Sequence, residues 1–112
     1  MGSFAAGQVV VLPFPFSNLE QNKYRPGLLL ADVQRGDWLV CQITSQAYTD
    51  NRAIEIVGDD FIVGSLQKIS YARAGKLFTA HETLFVDSVG RLHAKKLAEV
   101  KQAVIQLLQG YH

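Results

Sequence analysis

Three side chains in this sequence have the types and placement for chemistry on a phosphate group: Arg25, Thr44 and Ser45. Arg25 precedes Pro26 in Gln21-Asn22-Lys23-Tyr24-Arg25-Pro26-Gly27-Leu28-Leu29-Leu30, where a polar, basic segment turns directly into an apolar one. A residue before proline is driven out of the helical region, so Arg25 is held extended at the mouth of a strand. Thr44 ends the run Trp38-Leu39-Val40-Cys41-Gln42-Ile43-Thr44, and Ser45 follows it. If these two runs form a hairpin around Arg35-Gly36-Asp37, the start of one lies beside the end of the other. Pairing Gln34 with Asp37 and counting outward sets Arg25 opposite Gln46, two residues past Thr44, a gap that bulges or a register shift can close. A fixed guanidinium beside a hydroxyl suits a phosphodiester, whose charge grows as it passes through a pentacoordinate state. The same residues have a plainer reading, an arginine paired with an acidic neighbour and a threonine that simply favours a strand. On residue types alone, that plainer arrangement is the commoner one.

Other chemistries find less support. His81, His93 and His112 show no short ligand spacing and read as surface histidines, so no metal site is expected. The single cysteine, Cys41, lies in an apolar run and reads as a small buried hydrophobe. Neither a nucleophile elbow nor a glycine-rich phosphate loop is present. With 11 Lys+Arg against 10 Asp+Glu, the net charge of +1 excludes indiscriminate electrostatic capture of nucleic acid. An RNA partner would have to be held by a few placed cations and by base contacts. No apolar run approaches the roughly 18 residues that span a bilayer, and the first residues do not resemble a signal peptide, so a cytoplasmic protein without a membrane partner is expected.

The elements that must position these residues read as one small domain, 1–112, mainly of short strands. Gly7 to Leu12 is β-branched and apolar, a first strand that ends where Pro13 and Pro15 withhold ladder donors. Phe14 and Phe16 are expected to point to one side, and Ser17 to Tyr24 forms a long polar loop. Pro26 to Val33 is apolar at consecutive positions, which requires cover on both faces and suits a small closed barrel. Ala53 to Ile56 is a fourth strand, after a polar segment from Ser45 to Arg52. Phe61–Val63, Lys68–Ala72, Lys76–Thr79 and Leu84–Val86 are further short strands, punctuated by Gly64, Gly75 and Gly90. Leu92 to Gln109 carries Leu97, Val100, Val104, Leu107 and Leu108 at helical spacing and is expected to be one amphipathic helix stopped by Gly110.

Taken together, Gly7-Gln8-Val9-Val10-Val11, Pro13-Phe14-Pro15-Phe16-Ser17, Lys23-Tyr24-Arg25-Pro26-Gly27 and Gln42-Ile43-Thr44-Ser45 resemble the PemK/MazF family of bacterial type II toxin-antitoxin systems. Ser70 to Thr79 and Val89-Gly90-Arg91-Leu92 before the final helix match that family in order and spacing. The resemblance implies an SH3-like β-barrel with a C-terminal helix, forming a homodimer. It implies a metal-independent endoribonuclease, without cofactor, that cuts single-stranded RNA and is silenced by a cognate antitoxin, with operator DNA bound only by the toxin-antitoxin complex. By the resemblance, Arg25 and Thr44 are the catalytic pair and Arg73 matches a third functional arginine, while Ser45, whose hydroxyl is expected at the same end of the barrel, is a further supporting residue. Lys23, Tyr24, Gln46 and Arg52, from the two polar loops, are the expected RNA contacts, with Tyr24 or Tyr48 stacking a base or packing on the barrel rim. Three positions depart from the family pattern: Gly75 where some members place an aspartate, no histidine between Ser17 and Tyr24, and Gly7-Gln8 for Gly-Asp. Arginine is a poor base at neutral pH, so Arg25 is assigned to charge stabilisation and leaving-group help, and the general base is left unnamed. The alternative is a catalytically weak member that binds nucleic acid, an antitoxin or, like the gyrase-directed toxins of this fold, a protein target.

Overall fold

The computed structural model describes residues 4–14, 23–47 and 49–110. Seven strands run in the order β1 (Gln8–Pro13), β2 (Tyr24–Gln34), β3 (Asp37–Thr44), β4 (Ala53–Ile56), β5 (Phe61–Gly64), β6 (Ser70–His81) and β7 (Asp87–Leu92), followed by helix α1 (Ala94–Leu108). They form one antiparallel sheet ordered β4-β6-β3-β2-β1-β7-β5. Its edges, β4 and β5, are not hydrogen-bonded to each other in that order, yet they are consecutive in the chain. A single turn of 3-10 helix, Gly58–Asp60, occupies the short connection between them. So brief a link forces the sheet to coil until its two edges approach, which gives a barrel-like body although the ladder is open.

Both faces of β2 are covered from Gly27 to Leu30, whereas Ala31 to Val33 are exposed, so the cover expected over Pro26 to Val33 ends halfway along the run. Leu28 and Leu30 belong to a core cluster with Val9, Cys41, Ile43, Ala72 and the helix residues Val100 and Val104. Leu29 faces the other way, into a second cluster with Val10, Leu12, Phe14, Trp38, Val40 and Ala80. The helix packs on β6 and β4 through the first cluster. It is shorter than the periodicity suggests, starting after His93 and ending before Gly110, whose φ of +81° suits a glycine stop. Leu108 is exposed, at the helix end beyond its packed stripe. Among the described residues no helix is long and apolar enough to cross a membrane.

Three elements differ from expectation. Ser70–Ala72 and Lys76–Thr79 are not separate strands but parts of β6, because β3 pairs with both sides of Gly75, and Lys68 and Ile69 lie before its start. Leu84–Val86 is not a strand: Glu82–Leu84 makes a 3-10 turn capped by His81, and the strand begins afterwards, at Asp87. The first strand extends through Pro13, whose missing amide is tolerated at the strand end, while Phe16 lies outside the described residues.

Candidate functional site

The site starts with a register. From Gln34↔Asp37 the β2–β3 ladder shifts twice, between Asp32 and Gln34 and between Leu29 and Ala31, to reach Gly27↔Gln42. Continued by two residues in each direction, that register sets Arg25 across from Thr44. The two shifts supply the two-residue correction that simple counting lacked. The turn itself, Arg35 and Gly36 with φ of 61° and 84°, has the positive angles of a two-residue hairpin.

Alternation then decides which side chains share a face. Arg25 lies two residues from Gly27, Thr44 lies two from Gln42, and Arg73 of β6 pairs with Gln42. Arg25 also pairs with Leu12, which places it on the face of the second core cluster. Along that face, the apolar side chains of Val10, Leu12, Leu29 and Val40 give way to Arg25, Gln42, Thr44 and Arg73. These four, with Ile43, Ser45 and Gln46, line a concavity of about 320 Å³.

Each group is held differently. Arg25 is exposed and, among the described residues, its guanidinium has no hydrogen bond or ion pair. Thr44 Oγ1 accepts the Gln46 amide at 3.2 Å and lies 3.3 Å from the Gln46 carbonyl, a local turn that fixes the oxygen while its proton can reorient. Arg73 donates through Nε to Asp50 Oδ2 at 2.8 Å. Burial by itself would raise the Asp50 pKa, but the hydrogen bonds from Arg73 and the Arg52 amide, with the charges of both arginines, hold it below the ordinary value. Gln42 contributes a buried Oε1 without a hydrogen-bond partner among the described residues.

Of the remaining residues expected from sequence, Lys23 and Tyr24 are exposed beside Arg25 but do not line the concavity. Tyr24 pairs with Pro13, one residue out of phase with Arg25, and so faces the opposite side. Tyr48 and residues 17–22 of the long loop lie outside the described residues. Arg52 lines an adjoining hollow of about 370 Å³ with Asp50, Asn51, Gly75 and Lys76, and Arg73 is the wall common to both. Sequence reading missed Gln42, Asp50 and Lys76. Gln42 was findable, since it stands one strand period before Thr44; nothing in the sequence tied Asp50 to Arg73. Cys41 is fully buried, with its thiol pushed up to about 12 by burial, which matches its reading as a small hydrophobe.

The sequence matches the model of the PemK-like, MazF-like toxins of type II toxin-antitoxin systems over residues 5–108. The chain belongs to this family. Solved structures of the same fold include the Mycobacterium tuberculosis toxin MazF-mt6, with a TM-score of 0.69 and 16% identity over 94% of this chain and 98% of that one. The MazE-MazF structure from Deinococcus radiodurans gives a TM-score of 0.75 and 22% identity over 97% and 98%. An endoribonuclease in complex with its cognate antitoxin, from a mycobacterial species, gives 0.71 and 13% over 96% of each chain. No curated protein matches the sequence significantly. At these identities the likeness is one of fold, and it makes this PemK/MazF-family toxin a mainly β, barrel-like body with a C-terminal helix.

Proposed function

We propose that this family member is a metal-independent endoribonuclease that cuts single-stranded RNA at a short sequence, is silenced by a cognate antitoxin, and acts in the cytoplasm as a homodimer. The observation that carries this is the convergence of Arg25, Thr44 and Arg73, from three different strands, on one concave site where Arg25 has no partner of its own among the described residues. Two similar structures are named as endoribonucleases, one in complex with its cognate antitoxin, which supports the same reading.

In this reading the ribose 2′-oxygen attacks the adjacent phosphorus while the bond to the 5′-oxygen breaks, leaving a 2′,3′-cyclic phosphate and a free 5′-hydroxyl. Negative charge builds on the non-bridging oxygens, and the Arg25 guanidinium donates hydrogen bonds to them and to the departing 5′-oxygen, which takes its proton from water. Thr44 turns its proton from the Gln46 carbonyl to a phosphate oxygen, and Arg73 presents its outer nitrogens from the far wall. The 2′-hydroxyl proton passes to a base outside this set, because no carboxylate or imidazole among the described residues lines the concavity.

That last observation also favours the second reading, a weakly active member whose toxicity comes from binding a protein target. One experiment separates them: purified protein with long single-stranded RNA in EDTA, followed by end mapping. Cleavage with 5′-hydroxyl ends, reduced roughly 100- to 1,000-fold in Arg25→Ala, is expected from loss of a preorganised transition-state donor. Intact RNA with wild-type protein, or undiminished cutting by Arg25→Ala, would sink the nuclease reading. Growth arrest with intact cellular RNA would support the protein-target reading.

A further inference from the structure

The pairing of β6 with β3 contains an irregularity beside the site. Cys41 pairs with Leu77, but the next residue, Gln42, pairs with Arg73. Ala74, Gly75 and Lys76 are therefore looped out of the ladder. Ala74 turns into the core, fully buried, while Gly75 and Lys76 reach the adjoining hollow. Bulges re-aim side chains, and this one delivers a lysine to a concavity that already holds Arg52 and one side of Arg73. An added Cβ on Gly75 would meet nothing within 4 Å, so the hollow is open at that point.

Among the described residues, the lining has one sign in excess: Arg52, Arg73 and Lys76 against the carboxylate of Asp50, with Thr49 and Asn51 as further polar groups. Asp50 occupies only Nε of Arg73, so the two outer nitrogens, which make no hydrogen bond among the described residues, remain as donors. Asp50 is stitched into the loop as well, its amide donating to the Ala47 carbonyl at 3.0 Å and its Oδ1 accepting the Arg52 amide at 2.9 Å. It therefore ties Ala47 and Arg52 to Arg73 of β6. Arg73 lies between the two concavities because it pairs with Gln42 of β3 on one side and Ala53 of β4 on the other. The hollow thus lies beyond Arg73, on the β4 side of the Arg25–Thr44 site across the sheet.

We propose that this hollow is a second phosphate subsite, in which Lys76 and Arg52 take the phosphate next to the scissile one on the same RNA strand. The proposal rests on the endoribonuclease reading and extends it: the strand crosses β3 and β6, with Arg73 between two consecutive phosphates. An RNA strand is favoured over an acidic peptide because the two concavities share a wall, so one ligand with regularly spaced anions fills both. Lys76 is a binding residue here, apart from the bond-breaking groups.

The test uses a short RNA containing the mapped cleavage sequence and a set of copies in which one flanking linkage at a time is a neutral methylphosphonate. With wild-type protein, neutralising one linkage adjacent to the scissile bond should lower kcat/KM about 5- to 20-fold. Lys76→Ala should show a similar loss on unmodified RNA and no further loss at that linkage, while Lys76→Arg restores both the rate and the sensitivity. Lys76→Ala should also flatten the salt dependence of binding by about 0.7 in log–log slope, as for one single-strand phosphate contact. Thermal melting of each variant identifies any folding defect, and Lys76→Arg carries the comparison if the alanine variant melts early. Wild-type cleavage with no linkage coupled to Lys76, or a Lys76→Ala defect confined to binding of an acidic antitoxin peptide, overturns the subsite alone. Absence of wild-type cleavage overturns the nuclease reading and the subsite with it.

Discussion

Asp50 is the residue on which the wall between the two concavities depends. It meets Arg73 at 2.8 Å through one nitrogen, and both side chains are largely sheltered. Asp50→Asn keeps the shape but removes the charge that orients the guanidinium, so its effect should fall mainly on KM, about 3- to 10-fold, consistent with loss of one charge-assisted hydrogen bond. Because the folded-state pKa of Asp50 is lowered, its contribution to stability is present above the ordinary aspartate value of about 3.9 and is lost as pH falls through the folded value. Urea midpoints measured from pH 7 down to pH 2 should therefore fall more steeply below about pH 4 in wild type than in Asp50→Asn; parallel curves would contradict the assignment. At this scale Arg25 and Thr44 were legible because one local rule, the extended residue before proline, and one hairpin place them. Asp50 was not, since its partner lies 23 residues away in sequence and only the folded loop brings them together.

At the scale of elements, the β2–β3 hairpin was readable from its turn and its apolar run, but its final register depended on two shifts that no residue pattern announces. Strand β7 was read only as a family block. In Asp87-Ser88-Val89-Gly90-Arg91-Leu92 the buried positions are Gly90 and Leu92, and its place comes from pairing with β1 and β5. The same close packing governs Gly27, two residues from Arg25. A Cβ there would lie 2.6 Å from Val40 Cγ1 and 3.1 Å from Leu12 Cδ2. Gly27→Ala should cost about 1–3 kcal/mol by overpacking and should disturb the strand that carries Arg25. Chemical denaturation measures the first effect, and RNA cleavage relative to the folded fraction measures the second. A variant of wild-type stability would show that Val40 and Leu12 give way freely.

For the whole molecule, several large apolar side chains remain exposed in the single chain, among them Ile62, Val63, Val86 and Leu108. Light scattering should give about twice the 12.4 kDa of one chain, and a monomer at working concentrations would contradict the proposed homodimer. The barrel-like class was legible from short strands and a terminal helix, whereas the strand order was not, because neighbours such as β1 and β7 meet only after nearly the whole chain has been laid down.

That last pairing bears on how the protein is made. Strands β2, β3 and β6, which carry the site, are complete by His81, but β1 is flanked on one side by β7, ending at Leu92, and the larger core is closed by Val100 and Val104 of the helix. A chain released or stalled before these segments emerge lacks a sheet neighbour and a core layer, and contacts so distant in sequence form late. Synthesis itself would then delay the proposed activity: a partial product should carry Arg25 and Thr44 without holding them together. A version ending at Val86 is expected to show no cooperative melting and to leave RNA intact, and a folded, active fragment would show that the last strand and helix are dispensable.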